Sequence, residues 1–435
     1  MRPEFGHQMR KFFDLDTGFT NLNNGTFGSL PTAVRESYSV ISRQVEQSPD
    51  SFIRKQLPPG NLEVRTRLAK MINADVDECV IVPSVSHGIN VILNNIKWEP
   101  GDTLIHTNLA FDTIKRSIEC LSYPLNTSPN ISIFQLTFPA SHQSILAHFR
   151  VHVRGLRVAN PGKKVVAQFD TIISTPGVLM PWRDMVKICR EEGVLSIVDA
   201  AHSLGQEPGI NLHGTDPDFW VGNCNKWLYA KRGCALLYVP KRNQHIIHNN
   251  IPPGMKVVIP GNSVSRFVSE FQWNGSTDVV TALTIRAGQL TLAFVGLSVF
   301  PIDYPEALDF RTSIGGENAI MTYCHDLAMT GGRRMATIFD TQMMDSPAKE
   351  GELVGCMVNV ELPLSEGIKP TPSLFMELDK KLLGDWKVYA TPFYHNEKWW
   401  IRASAQVYNE MSDFEYLASA LRSICKEIEQ ETPTD

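Results

Sequence analysis

Cysteine is scarce in this sequence, and the few cysteines follow no pattern. Eight are spread over 435 residues, without the paired spacing that is typical of zinc or iron–sulfur sites. Several lie in apolar runs, such as the run around Cys356. We therefore expect buried, reduced thiols in a cytoplasmic protein, and no metal site.

Long hydrophobic stretches, basic tracts and low-complexity segments are also missing. The longest apolar stretch, residues 290–300, is interrupted by Thr, Gly and Ser and is too short to cross a bilayer. Residues 1–13 lack the apolar core and cleavage site of a secretion signal. The formal net charge of -5 gives no reason to expect nucleic acid or a membrane as a partner.

The arrangement of apolar segments indicates the fold class. Apolar runs of strand type alternate with helical segments up to Val239, which is typical of a parallel sheet covered on both faces. Helices are predicted at residues 31–48 and 185–192, and a long one at residues 279–299. A chain of 435 residues is too long for one compact core, so we expect an α/β protein with a second, smaller domain.

Two predicted strands end in polar side chains. Asp199 and His202 follow the run at residues 194–198, and Lys226 follows the run at residues 219–222. A lysine in a dry pocket has a lowered pKa and becomes a usable nucleophile, while a facing aspartate can hold a pyridinium proton. This pair is the minimum that a pyridoxal phosphate site requires.

A simpler interpretation of the same two residues is that Asp199 caps a helix that begins near Ala200, and that Lys226 forms a surface ion pair. Strand-end Asp and Lys residues are common in α/β proteins. The two residues taken alone therefore leave both interpretations open.

An anion site is predicted at the start of another helix. A short apolar strand leads into Ser84-Val85-Ser86-His87-Gly88, where small hydroxyl residues and free N–H groups at a helix N-terminus favour a phosphate. We assign Ser86 and the backbone N–H of His87 to that phosphate. Ser86 could also serve as the N-cap, and one hydroxyl can do both.

The segments Asp199-Ala200-Ala201-His202 and Asn223-Cys224-Asn225-Lys226-Trp227 resemble the class V aminotransferase superfamily of pyridoxal phosphate enzymes. The resemblance covers nearly the whole chain. It implies the fold type I architecture, with a mostly parallel seven-stranded sheet in a large domain (residues 21–285). An N-terminal arm (residues 1–20) and a small α+β domain (residues 286–435) complete it.

The resemblance also implies roles for individual residues. Lys226 and Asp199 are the expected catalytic residues, Phe111 stacks on the cofactor ring, and Ser174 and His202 approach its phenolic oxygen. The residues expected to bind pyridoxal 5'-phosphate are Ser86, His87, Phe111, Ser174, Asp199, His202, Asn223, Asn225, Lys226 and Ser276.

The expected substrate residues are Arg402, Asn24 and Arg54. Arg402 lies in Trp399-Trp400-Ile401-Arg402-Ala403-Ser404, where a guanidinium can bind an amino-acid carboxylate through two hydrogen bonds. Arg54 could instead form an interface ion pair, and the segment around Asn24 could be a plain turn. In the family, the loop containing Ser276 reaches the phosphate of the neighbouring subunit. We therefore expect a homodimer with shared sites, unless this loop is an internal turn.

The chemistry after α-carbanion formation is less constrained. A sulfur-transferring desulfurase is improbable, because residues 386–402 contain no cysteine. Several segments are most similar to hercynylcysteine sulfoxide lyases and to loline-pathway enzymes that close a ring by a Mannich-type attack. Asn24, Asn225 and Phe111 replace the His, His and Tyr of lyase-type relatives. The loss of these proton carriers would protect a carbanion from protonation, so we predict a cyclase. The alternatives, in order, are a carbon–sulfur lyase, an epimerase and a non-catalytic binding subunit.

Overall fold

The computed structural model describes residues 3–122, 128–251, 264–273, 275–286 and 305–431. Its strands, in chain order, are β1 (Thr20–Asn21), β2 (Cys79–Val82), β3 (Thr103–Thr107), β4 (Asn130–Phe134), β5 (Val165–Asp170), β6 (Leu195–Asp199), β7 (Phe219–Asn223), β8 (Ala235–Tyr238), β9 (Met357–Glu361), β10 (Val388–Tyr389), β11 (Thr391–His395) and β12 (Lys398–Ser404).

The α-helices surround these strands. In chain order they are α1 (Asn24–Phe27), α2 (Thr32–Gln47), α3 (Pro49–Ser51), α4 (Leu57–Met71), α5 (Val85–Asn95), α6 (Asp112–Cys120), α7 (His142–Ala159), α8 (Trp182–Glu191), α9 (Leu212–Thr215), α10 (Arg266–Phe271), α11 (Ala307–Ser313), α12 (Gly316–Phe339), α13 (Pro372–Lys380) and α14 (Met411–Glu431). In the described ranges, no helix is both long enough and apolar enough to cross a membrane.

A seven-stranded sheet forms the centre of the large domain, in the order β2-β8-β7-β6-β5-β3-β4. Strands β4, β3, β5, β6 and β7 are parallel, whereas β8 runs antiparallel to both of its neighbours. The predicted mostly parallel seven-stranded sheet is thus confirmed. The predicted strands at residues 194–198 and 219–222 correspond to β6 and β7.

The sheet is buried on both faces because its strands are apolar at successive positions. Val166 and Ile197 belong to one hydrophobic cluster, while their chain neighbours Ala167 and Val198 belong to another. Since successive side chains of a strand point to opposite faces, these clusters lie on the two sides of the sheet. Burial on both faces leaves the strand ends as the natural place for polar groups.

A three-stranded antiparallel sheet, β11-β12-β9, forms the core of the C-terminal part together with α12 and α14. The prediction of an α+β unit after the large sheet is therefore confirmed. The N-terminal arm packs on this part, since Arg10 Nη2 and His7 Nε2 contact Asp413 Oδ1 at 2.8 and 2.9 Å. Strand β1 also pairs in parallel with β10.

Two predicted helices in the first half agree with the structure, since residues 31–48 and 185–192 overlap α2 and α8. The long helix predicted at residues 279–299 falls largely outside the described residues. Its described beginning is a 3-10 helix, Thr281–Ile285. The predicted domain boundary at 285/286 lies next to residues 287–304, which are outside the described residues. The position of this boundary therefore stays a prediction.

Candidate active site

Two carboxylates lie side by side at the carboxyl end of the sheet. Asp170 and Asp199 are the last residues of β5 and β6 and are register partners of each other. Both face a cavity of about 170 Å³. The residues that line this cavity are Thr26, Phe27, Val85, Ser86, Phe111, Asp170, Ile172, Ser174, Asp199, Ala201, His202, Asn223 and Lys226.

Burial changes the proton affinity of both carboxyl groups. It raises the pKa of Asp199 to about 6, although the N–H of Ala201, which donates to Oδ1 at 2.9 Å, and the nearby Lys226 lower it. Burial and the neighbouring Asp199 raise the pKa of Asp170 well above its usual range. Since two adjacent carboxylates do not both ionise readily, Asp199 holds the negative charge and Asp170 the proton.

Lys226 enters the cavity from the bend after β7. Burial lowers its pKa from 10.5 to about 8, against the opposing effect of Asp199. Among the described residues, the amine of Lys226 contacts Nε2 of His202 and the ring of Phe111 rather than a surface carboxylate. Residues 201–206 form turns rather than a helix. The simpler interpretation, a helix cap at Asp199 and a surface ion pair at Lys226, is therefore wrong.

The buried ring of His202 lies between the amine of Lys226 and the indole of Trp227. Its Nε2 lies 3.0 Å from Nζ of Lys226, and the indole Nε1 of Trp227 donates to its Nδ1 at 3.4 Å. Burial lowers the pKa of His202 well below 6.5, so the ring is neutral. An indole N–H can only donate, which places the single ring proton on Nε2. His202 therefore donates to the neutral amine form of Lys226.

Helix α5 points its N-terminus at the same cavity. Ser86 lines the cavity, and Oδ1 of Asn223 accepts the N–H of Val85 at 3.2 Å. The N–H of His87 donates to Oγ of Ser84 at 3.1 Å. Ser84, and not Ser86, is thus the N-cap, and the N–H of His87 that we assigned to a phosphate already has a partner.

Phe111 and Ser174 complete the cavity wall. The ring of Phe111 is 48% exposed, and its centroid lies 6.0 Å from Nζ of Lys226. The backbone oxygen of Ser174 accepts from Nη1 of Arg402 at 2.5 Å. An exposed aromatic face opposite an amine leaves a slot that suits a flat ring.

Arg402 is a buried cation whose partners are all neutral. Its Nη2 donates to Asn23 Oδ1, Thr26 Oγ1 and Thr391 Oγ1 at 2.8, 2.6 and 3.1 Å, while Nε has no partner. Burial lowers its pKa from 12.5 to about 10.

Other buried arginines differ from Arg402 in this respect. Arg65, Arg286 and Arg311 each contact a carboxylate, at 3.4, 3.3 and 2.5 Å, whereas Arg402 has no acidic partner among the residues that the structure describes. Burying an unpaired charge costs several kcal/mol. Such a group is therefore suited to meeting an anionic ligand.

The structure does not bring every predicted residue to the cavity. Nδ2 of Asn24 donates to the backbone oxygen of Lys226 at 2.9 Å, and Nδ2 of Asn225 donates to that of Phe27 at 3.2 Å. Arg54 is exposed and pairs with Asp50. Ser276 is exposed and lies outside the cavity lining of its own chain. The roles of these residues stay predictions.

The sequence reasoning also missed some residues. Asp170 ends an apolar strand just as Asp199 does, so the same signal was present at both positions. Asn23 and Thr26, which flank the predicted residue Asn24, were not predicted to have a role, although both bind the guanidinium of Arg402.

Comparisons with known proteins agree with this geometry. Residues 38–258 match the family model Aminotransferase class-V. The L-cysteine desulfhydrase-like protein lolT1 of Epichloe uncinata is 32% identical over 98% of this chain and 97% of its own length. The hercynylcysteine sulfoxide lyase of Schizosaccharomyces pombe is 28% identical over 97% of this chain and 98% of its own.

A solved structure shows the same fold. It is the complex of a cystine C–S lyase with its reaction product, cysteine persulfide. It matches with a TM-score of 0.71 at 15% identity, over 93% of this chain and 97% of that chain.

Proposed function

The chain belongs to the class V aminotransferase family of pyridoxal phosphate enzymes, and from this premise we propose that it cleaves a carbon–sulfur bond of an amino-acid substrate. Membership of the family makes the chain a fold type I enzyme rather than a non-catalytic binding subunit. The sulfur chemistry is our proposal, and it is supported by the proton carriers of the cavity.

The residues of the cavity fit pyridoxal phosphate. An amine with a pKa of about 8 and a buried carboxylate face one cavity, at Lys226 and Asp199. The slot beside Phe111 suits a flat ring, and the N-terminus of α5 with Ser86 suits a phosphate. When bound, the cofactor withdraws electrons from the α-carbon of the amino acid.

The side chains then have distinct tasks. Lys226 would hold the cofactor, and its free amine would take the α-proton of the substrate. Asp199 would keep the ring nitrogen protonated, while the neutral His202 orients Nζ of Lys226. Arg402 binds the substrate carboxylate, which fixes the α-carbon beside that amine.

The observation that carries the proposal is the small number of proton carriers around the amine of Lys226. In the described cavity lining, the ionisable groups are Asp170, Asp199, His202 and Lys226, and a phenylalanine faces the amine. An epimerase needs a second acid on the opposite side of the substrate. A sulfur leaving group does not, because it departs from the β-carbon with the bonding electrons as a stable thiolate or sulfenate. The remaining fragment takes up water and yields pyruvate and ammonium.

A Mannich-type cyclase, which the sequence analysis ranked ahead of the carbon–sulfur lyase, is the second candidate. It shares the first proton abstraction, and the same scarcity of acids would protect a carbanion until it meets a carbon electrophile. The replacements at Asn24, Asn225 and Phe111 favour it, whereas the similarity to an L-cysteine desulfhydrase-like protein favours the lyase. The two candidates differ in the fate of the β-carbon substituent.

The deciding experiment is incubation of holoenzyme with S-substituted L-cysteines and their sulfoxides. We expect pyruvate and ammonium in equal amounts, with none from Lys226→Ala. Lys241→Ala is the matched control, because Lys241 is an exposed lysine paired with Asp75. If no pyruvate is released although the cofactor absorbance responds to amino acids, the lyase proposal fails and the cyclase becomes the leading candidate.

We also propose a homodimer in which Ser276 of one subunit serves the site of the other. The support is that Ser276 is exposed and does not line the cavity of its own chain. Mixing Lys226→Ala with Ser276→Trp subunits tests this. Mixed dimers should regain activity at one site in two, whereas a monomer would show no recovery.

A further inference from the structure

Two cavities meet at one side chain, Phe27. The inner cavity of about 170 Å³ contains Lys226, and a larger outer cavity of about 630 Å³ opens on its other side. Phe27 lines both. The remaining residues that line the outer cavity are Asp14, Leu15, Phe19, Asn21, Asn23, Gly28, Ser29, Leu30, Arg35, Arg232, Leu383 and Tyr389.

Phe27 combines an exposed side chain with a fixed backbone. Its ring is 65% exposed, compared with 48% for Phe111. Its carbonyl oxygen accepts from Nδ2 of Asn225 at 3.2 Å and from Nε of Arg232 at 3.0 Å. The next residue, Gly28, packs so closely that an added Cβ would lie 1.9 Å from the oxygen of Asn225. The protein thus fixes the backbone that carries an exposed apolar ring at the junction of the two cavities.

Arg402 is buried and lines neither cavity, but two of its hydrogen-bond partners lie at this junction. Its guanidinium binds Thr26, which lines the inner cavity, and Asn23, which lines the outer cavity. An amino acid whose carboxylate met Arg402 and whose α-carbon faced Lys226 would extend its side chain toward Phe27, which lines both cavities. In that pose a short side chain would stay in the inner cavity, whereas a long one would contact the ring of Phe27.

We propose that Phe27 is the specificity-determining residue, and that it selects amino acids with long, apolar-stemmed side chains over short ones such as cysteine itself. The inference rests on the proposed function only in that an amino acid binds beside Lys226. Apolar contact with a preformed ring on a fixed backbone gains affinity without the entropic cost of ordering a loop. The fixed backbone of Phe27 supplies this preorganisation.

The test uses amino acids without a leaving group, so it does not depend on elimination. Holoenzyme is titrated with L-alanine, L-norvaline, L-norleucine and L-homophenylalanine, and the absorbance of the bound cofactor gives each Kd. We expect the wild-type Kd to fall about tenfold or more along this series. In Phe27→Ala, the Kd values for L-alanine and L-homophenylalanine should differ by about threefold or less. The Kd for L-alanine itself should change less than about twofold.

Met376→Ala is the matched control, because Met376 is 67% exposed and lines neither cavity. Met376→Ala should bind the four amino acids with the same Kd values as wild type. Phe27→Leu, which retains an apolar contact, should give an intermediate series and shows that the fold tolerates a change here. A flat wild-type series, an unchanged series in Phe27→Ala, or loss of L-alanine binding in Phe27→Ala overturns the inference. If the series is as expected but no S-substituted cysteine releases pyruvate, only the lyase proposal fails.

Discussion

Nε2 of His202 lies 3.0 Å from Nζ of Lys226, and the bond that Trp227 donates to the other ring nitrogen fixes its direction. A neutral imidazole that donates to an amine stabilises the uncharged form of that amine. The contact therefore keeps Lys226 ready to act as a nucleophile and then as a base.

The first prediction concerns the pH at which apo-enzyme takes up pyridoxal phosphate. Only the neutral amine attacks an aldehyde, and burial lowers the pKa of Lys226 from 10.5 to about 8. The rate of uptake should therefore rise with pH and level off above about pH 8. Stopped-flow absorbance on apo-enzyme measures it, with free Nα-acetyl-lysine as the control. A rate that still climbs steeply near the ordinary lysine pKa would contradict the prediction.

The second prediction separates the two strand-end carboxyl groups. Because the pKa of Asp170 is raised well above its usual range, Asp170→Asn replaces a protonated acid with a group of the same shape, and kcat should stay within about threefold of wild type. Asp199→Asn removes the charge at the ring nitrogen and should lower kcat at least about a hundredfold. Steady-state kinetics of both variants provide the comparison, and equal losses would refute the assigned protonation states.

The third prediction uses two buried arginines as a matched pair. Arg402→Gln should raise KM for the amino acid at least about a hundredfold, while the apo-protein melts no lower, because an unpaired buried charge is removed. Arg311→Gln leaves the carboxylate of Glu317 without its partner and should cost about 3–5 kcal/mol. Thermal melts and kinetics together show the outcome. A stability loss in Arg402→Gln as large as in Arg311→Gln would count against a ligand-binding role.

The fourth prediction concerns the turn that holds Phe27. Gly28 has a φ of +72°, and an added Cβ would collide with the backbone of Asn225 and Lys226. Gly28→Ala should therefore displace the segment that contains Asn225 and Lys226 and lower the affinity for the cofactor. Titration of apo-enzyme with pyridoxal phosphate measures this affinity. Gly367→Ala is the control, since its Cβ would meet open space. If Gly28→Ala and Gly367→Ala bind pyridoxal phosphate equally well, the turn at Gly28 does not determine the position of Lys226.

The parts of the fold that depend on local patterns could be predicted from the sequence. Strands β6 and β7 are mostly apolar runs; Asp199 ends β6 and Lys226 comes three residues after β7. Because β6 and β7 are parallel neighbours, these two residues were expected at the same edge of the sheet. The cap of α5 was misassigned because Ser84 and Ser86 both suit a helix start. Only the backbone geometry shows which hydroxyl accepts the N–H of His87.

The side-chain partners within the site could not be predicted in the same way. Asn24 and Asn225 each have amide groups that can donate in several directions, and packing decides that they hold the backbone of Lys226 and Phe27. The partners of Arg402 come from segments far apart in the chain. The pattern of apolar residues within one segment does not indicate which side chains of a distant segment will contact it.

Arg402 Nη2 binds Asn23 Oδ1 across 379 positions of sequence, and the adjacent Ser404 N–H donates to the backbone oxygen of Leu22 at 2.6 Å. On the ribosome, the segment around Asn23 emerges early and must wait for nearly the whole polypeptide before β12 arrives. The contacts that hold Arg402 can therefore form only after both ends of the polypeptide have been made. A chain that ended before β12 would contain the segment around Asn23 but would lack the guanidinium that this segment binds.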